Sequence, residues 1–250
     1  MTAAIREIAI KSALVRSRIP GVEFVINPYI GCGHGCRYCY AVFMRRHSHY
    51  NRESRWGEFV EVKTNIPEVL EAELARKQKR GSAFLSSVCD PYQPVERDYR
   101  LTRSCLELLR NYGWSISILT RSPLVIRDAD ILRSALDCRV GFSIPTDNDR
   151  VREKLEPFAP PIPDRIEALK RLQGLGIRTW AFIAPMLPMD PERLHRLLDP
   201  VVEEIKIDPL NYVSRVEGFF RQQGWGYALS QEYAGETRQA LRKLFGEKTR

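Results

Sequence analysis

The chain has 250 residues, enough for one domain with a full hydrophobic core or two small ones at most. Its 44% hydrophobic and 28% charged residues are ordinary globular values, and its six cysteines read as metal ligands, catalytic thiols or buried apolar residues rather than as a disulfide framework. A net charge of +8 and a pI near 9.3 suit a polyanionic partner, and equally a basic surface without one. The longest mostly apolar run, Trp180 to Met189, is too short and proline-rich to span a bilayer, and the N-terminus lacks an apolar stretch with a cleavage site, so a cytoplasmic protein without membrane contact is expected.

Along the chain, short β-rich runs alternate with helical patterns. Strands are predicted at Glu23–Asn27, Phe59–Lys63, Ala83–Val88, Ser115–Thr120, Val140–Ile144, Arg178–Ala184 and Val201–Ile207, each brief, rich in Val, Ile and Phe, and bounded by turn residues. Helix starts are predicted at Asn65, Asp128, Asp164 with Glu167, Asp190 ahead of Pro191, and Ser214 with Glu217. This alternation implies right-handed βαβ units and a parallel sheet. About six units make an α/β fold with a partial (β/α)6 barrel of the TIM type. The whole of 1–250 reads as one domain, with a barrel core over about 20–211 and closing helices over 212–250. In such a fold chemistry belongs at the carboxyl ends of the strands. Cys89, Arg121, Ser143 and Asp208 fall there.

After the first predicted strand comes "NPYIGCGHGCRYCY", with Cys32, Cys36 and Cys39 inside eight residues. Thiolates at this spacing select soft metals. Paired-finger zinc sites use two separated cysteine pairs, which are absent, although His34, His47 or His49 would complete a Cys3His site. An iron–sulfur cubane fits three thiolates and leaves one iron open, the mark of a reactive site. Gly31, Gly33 and Gly35 let the backbone fold closely around such a cluster.

Cys32-x3-Cys36-x2-Cys39, with Tyr38 before the last cysteine, resembles the signature of radical S-adenosylmethionine (SAM) enzymes. "DPYQPVE", "LTRSPLVIRD", "GFSIPTDN", "EPFAPPIPDRIEALKRL", "IAPMLP" and "IDPLN" resemble, in order over about residues 27–211, the blocks of the spore photoproduct lyase-like group within that superfamily. The resemblance implies the three-quarter barrel of that superfamily and two cofactors. These are a [4Fe-4S] cluster on the three cysteines and SAM chelating the open iron. It also implies an electron donor such as flavodoxin or ferredoxin, and a 5′-deoxyadenosyl radical that abstracts a substrate hydrogen.

By the same resemblance Tyr38 lies against the adenine of SAM, Ser87 near its amino group, and Ser143 on the ribose. Arg121 stands where the lyases carry a lysine that meets the methionine carboxylate. Cys89 is a candidate hydrogen donor, or else a small buried residue. Cys105 and Cys138 read as packing residues. The substrate is not named by the sequence; DNA or another nucleic acid is one candidate partner, and a peptide or a small molecule stays open beside it. The loop Arg45–Trp56, with Arg6, Lys11, Arg16 and Arg18, is the expected polyanion contact, or else a solvated polar loop. The competing reading is a zinc- or iron–sulfur-containing nucleic-acid-binding or electron-transfer protein without SAM chemistry.

Overall fold

The computed structural model describes residues 3–50 and 54–249. The strands are β1 (Ala4–Ile8), β2 (Val15–Arg16), β3 (Phe24–Ile26), β4 (Tyr29–Ile30), β5 (Phe59–Lys63), β6 (Ser82–Leu85), β7 (Ser115–Thr120), β8 (Cys138–Ser143), β9 (Arg178–Ile183) and β10 (Glu204–Ile207). The helices are α1 (Ile66–Ala75), α2 (Glu96–Tyr99), α3 (Leu101–Asn111), α4 (Ala129–Ser134), α5 (Asp149–Leu155), α6 (Ile162–Gly174), α7 (Pro191–Leu198), α8 (Glu217–Gln222) and α9 (Gln231–Phe245).

The main sheet runs β10-β9-β8-β7-β6-β3-β2. From β3 to β10 neighbouring strands are parallel and follow chain order, which is the singly wound topology of a partial barrel; β2 closes the edge antiparallel to β3. The period of two along each strand divides the apolar residues into two sets. Ile26, Leu85, Ile118, Val140, Ala181 and Ile205 join the large core beneath the helices. Val25, Phe84 and Trp180 form a separate cluster with Leu119 and Phe182 on the inner face.

One predicted barrel strand is corrected. Phe59–Lys63 forms at the expected place but leaves the barrel, pairing with β1 and β4 in a three-stranded sheet. Its residues are buried on both faces, so hydrophobicity alone did not reveal which strands it would meet. The last predicted strand is shorter, because Val201 belongs to a 3-10 turn. Among the helix starts, Asp190 caps α7 by accepting from the Glu192 and Arg193 N–H groups. The Asn65 side chain instead binds both backbone groups of Ile10 at 2.8 and 2.9 Å. Asp128 precedes α4 as expected, but its carboxylate takes Arg103 and Arg127 instead of capping the helix. Asp164 lies inside the first turn of α6, and Ser214 in a 3-10 turn ahead of α8.

The two C-terminal helices go to different places. Phe220 of α8 packs with Cys36, Tyr38 and Leu155 at the carboxyl end of the sheet. Leu241 and Phe245 of α9 join the core on the helical side, where Phe245 meets the His195 ring of α7 edge-on at 4.8 Å. Among the described residues no helix is long and apolar enough to cross a membrane.

Candidate active site

Cys32, Cys36 and Cys39 follow β4 and lie at the carboxyl end of the parallel sheet. Together they line one wall of a cavity of about 550 Å3. Tyr38, Ser87, Cys89, Arg121, Ser143 and Asp208 line the same cavity, whereas His34, His47 and His49 do not. Cys105 and Cys138 do not; both pack in the core.

The cysteine loop folds where it does because glycine lets it. Gly31 has φ +86°, and a Cβ there would stand 2.4 Å from the Phe59 carbonyl oxygen. Gly57, at φ +102°, crosses so close to Gly35 that its own Cβ would sit 2.7 Å from the Gly35 Cα. That crossing brings Trp56 beside Cys39. The Trp56 ring rests edge-on against Phe59, and its buried indole N–H faces the Cys39 thiol, whose pKa it pulls down against the effect of burial.

One hydrogen-bonded clamp and one close contact between buried side chains fix the loop. The Gly33 N–H donates to Gln93 Oε1 at 2.8 Å, while Gln93 Nε2 donates to the Gly31 carbonyl at 3.2 Å. His34 Nε2 lies 3.3 Å from Asp90 Oδ2. Asp90 is buried and also accepts from the Thr120 hydroxyl, the Tyr92 N–H and the Arg121 N–H. Burial alone would raise its pKa, but His34, Thr120 and Arg121 hold it down to about 2.

Glu156, fully buried just after α5, is the centre of the second network. It accepts from Tyr38 Oη, from Arg121 Nε at 2.8 Å and from Arg165 Nη2. Arg165, itself fully buried, donates to the Ser143 carbonyl at 2.8 Å. Here too burial opposes ionisation, and the two guanidiniums and the phenol hold Glu156 near 2. Tyr38, Arg121 and the end of β8 are thus fixed through one carboxylate. Neither Glu156 nor Arg165 was singled out from the sequence, although both lie in "EPFAPPIPDR"; a glutamate and an arginine nine residues apart carry no pairing signal before the fold brings them together.

On the other side of the cavity Asn27 Oδ1 accepts from the Ser87 and Val88 N–H groups at 2.9 and 3.1 Å, and Tyr40 Oη donates to the Ser87 carbonyl. Cys89 follows in the same loop. Burial pushes its thiol up to about 11, against the pull of Ser86 and Lys63.

Burial also pushes the thiols of Cys32, Cys36 and Cys39 upward. Three such groups become thiolates only when a cation holds them there. Among the described residues no three His, Cys, Asp or Glu side chains gather about a single-ion site. His34 faces Asp90, and His49 Nδ1 lies 2.9 Å from Glu61 Oε1. The donor set therefore fits a cluster better than a lone zinc ion, because each thiolate of a cubane binds a different iron.

Of the expected polyanion contact, Arg45 and Arg46 lie in the 3-10 turn Tyr40–His47, and Arg52 falls outside the described residues.

Residues 26–201 match the Radical SAM superfamily. The chain belongs to that superfamily. The superfamily uses a [4Fe-4S] cluster and SAM, which are the cofactors expected from the cysteine spacing. An uncharacterized protein of Methanocaldococcus jannaschii is 39% identical over 182 residues, 73% of this chain and 67% of that protein. The radical SAM Nα-GlyT isomerase of Pseudomonas phage M6 is 29% identical over 163 residues, 65% of this chain and 33% of its own length. This radical SAM chain thus spans about two thirds of the first relative and one third of the second. A spore photoproduct lyase mutant with bound AdoMet and dinucleoside spore photoproduct matches with a TM-score of 0.69. That match covers 98% of this chain and 80% of the lyase, at 15% identity, and is a likeness of fold.

Proposed function

We propose that this chain is a radical SAM enzyme of the spore photoproduct lyase-like group that acts on a nucleic-acid substrate. It would hold a [4Fe-4S] cluster on Cys32, Cys36 and Cys39 and take SAM at the open iron. The observation that carries this is the gathering of three thiols, those of Cys32 and Cys36 buried, with Arg121, Tyr38 and Ser143 around one cavity at the carboxyl end of a parallel sheet. When bound, the cluster would pass one electron from an external reductant to the SAM sulfonium, breaking its S–C5′ bond to release methionine and the 5′-deoxyadenosyl radical that takes a substrate hydrogen.

The chain's own residues bind and orient. Arg121 brings a guanidinium to the cavity wall, suited to the methionine carboxylate, and Glu156 keeps it in place. Tyr38 is locked by the same carboxylate beside the cysteines, where adenine would lie. Ser143, buried at the end of β8, is set for the ribose, and Ser87 for the amino group. Cys89, with its raised pKa, keeps its proton at neutral pH, and hydrogen-atom donation requires S–H rather than thiolate. The spore photoproduct lyase likeness and the basic charge of the chain support a nucleic-acid substrate.

The test is 5′-deoxyadenosine formation from SAM by anaerobically reconstituted, dithionite-reduced protein, first alone and then with damaged DNA. A colourless protein containing zinc in place of iron would sink the reading.

Two results are expected alongside. Cys89→Ala should leave cluster content and SAM cleavage intact but cut turnover of the true substrate at least about tenfold, with radical-derived side products replacing the normal one; unaltered product would remove Cys89 as donor. Trp56→Phe should move the cluster's reduction potential to a more negative value, because it deletes an N–H beside the Cys39 sulfur and hydrogen bonds to cluster sulfurs help set the potential. A redox titration followed by electron paramagnetic resonance reads this directly, and an unchanged potential would refute it.

A further inference from the structure

The electron that the proposed chemistry needs has to enter from outside, across the wall that holds the three cysteines. Between Cys32 and Cys36 that wall is nearly bare backbone. Gly33 and Gly35 put no side chain on it, and His34 is buried against Asp90. Gly57 crosses just outside, its Cα 3.5 Å from where a Cβ on Gly35 would stand.

The segment after α5 runs along the outer side of this stretch. The Arg37 N–H donates to the Leu155 carbonyl at 2.9 Å, and the Phe158 N–H to the His34 carbonyl at 3.3 Å. This lays the Phe158 ring on Gly35, 3.1 Å from the place of the missing Cβ. Phe158 is 45% exposed, and neither it nor Gly35 nor Arg37 lines the cavity. A single exposed apolar ring is ordinary. This one covers the backbone that separates two cluster ligands from solvent.

The exposed charges around the ring are mostly positive. Arg37 stands on the loop, Arg55 lies two residues before Gly57, Lys154 is near the end of α5, and Arg150 is one turn earlier on the same helix face. Glu58 and Glu153 are the exposed carboxylates beside these four cations. Arg37 gives its Nε to the Lys154 carbonyl at 2.9 Å and lays its guanidinium over Phe219 at 4.7 Å, so no carboxylate neutralises it among the described residues. An apolar centre within a charged rim is the anatomy of a transient protein interface, and opposite charge on the partner speeds encounter.

We propose that this outer face of the cysteine loop, centred on Phe158, docks an acidic one-electron carrier protein. The proposal rests on the radical SAM reading and adds where its reductant binds. The carrier is oxidised by one electron and the cluster reduced by one, with no bond made or broken. A nucleic acid would also be drawn to these cations, but bound here it would be cut off from the cavity by the loop itself.

Reduced flavodoxin is the probe, and dithionite is the small reductant that needs no docking surface. Calorimetry of the oxidised proteins gives the Kd, and anaerobic stopped-flow gives the rate of cluster reduction. Wild type should bind flavodoxin more weakly, and accept its electron more slowly, as salt is raised. Arg37→Glu combined with Lys154→Glu should weaken binding and slow reduction by flavodoxin at least about tenfold at low salt and flatten the salt dependence. Lys154→Glu alone, at an exposed side chain, should give a smaller loss in the same direction. Phe158→Ser should weaken binding about tenfold but keep the salt dependence, because it removes apolar contact and no charge. Iron content, SAM affinity and the rate with dithionite should stay at wild-type values in all three. Unchanged flavodoxin affinity and rate in the three variants overturns the proposal. So does equal slowing with both reductants, or duplex DNA that displaces flavodoxin from wild type and loses its affinity in the charge variants. A wild type that holds no iron after reconstitution would overturn the radical SAM reading itself.

Discussion

Cys36→Ala should abolish 5′-deoxyadenosine formation to the level of a no-protein control. Cys36 is 6% exposed and packed against Tyr38, Leu155 and Phe220, so alanine leaves a gap there and no side chain to take the place of its sulfur. Cys32 and Cys39 alone would leave two irons of the cubane without protein ligands, and the brown colour and iron content should fall with the activity. Wild type and variant are compared after identical anaerobic reconstitution. A variant that retains both full iron and nucleoside formation would show that Cys36 is not a ligand. A wild type with a full cluster and no nucleoside is retested with DNA and cell extract. A second negative would favour a binding or electron-transfer role.

Glu156→Gln should be the most destabilising isosteric change at the site. It leaves Arg165, which is fully buried, and Arg121 facing a neutral amide. Breaking a buried ion pair from one side costs roughly 3–5 kcal/mol. For a chain of this size that is about a 10 °C loss in Tm, measured by thermal unfolding under argon. SAM affinity should fall as well, since Tyr38 and Arg121 lose their common anchor. The pH dependence carries a signature. The folded pKa of Glu156 is depressed from its ordinary 4.5 to about 2, so its contribution is full above 4.5 and is lost as pH falls toward 2. The variant should therefore show a flatter acid limb over that window. A variant as stable as wild type, with the same acid limb, would remove Glu156 from the centre of the network.

Much of the site could be read from the chain because its signals are local. Three cysteines within eight residues declare soft-metal chemistry before any fold exists, and Cys89, Arg121 and Ser143 announce themselves by following β-rich runs. Winding six strands in chain order brings those ends to one cavity. The Asp190–Pro191 start of α7 was equally legible, because a cap acts within one turn.

What the tertiary structure decided lies at longer range. β1 was unseen because it is mostly exposed and lacks an alternating apolar pattern; its backbone bonds to β5 define it, and they draw β5 out of the barrel. Gln93 reaches back 60 residues or more to Gly31 and Gly33, and Glu156 reaches 118 residues to Tyr38. Nor does any local pattern say that Trp180 and Phe182 face the cavity while Ala181 and Ile183 face the helices, since all four are apolar or aromatic. Short-range sterics and metal chemistry are written in residue spacing. Partnerships of buried charge, and the choice of sheet face, depend on which surfaces meet when the chain folds.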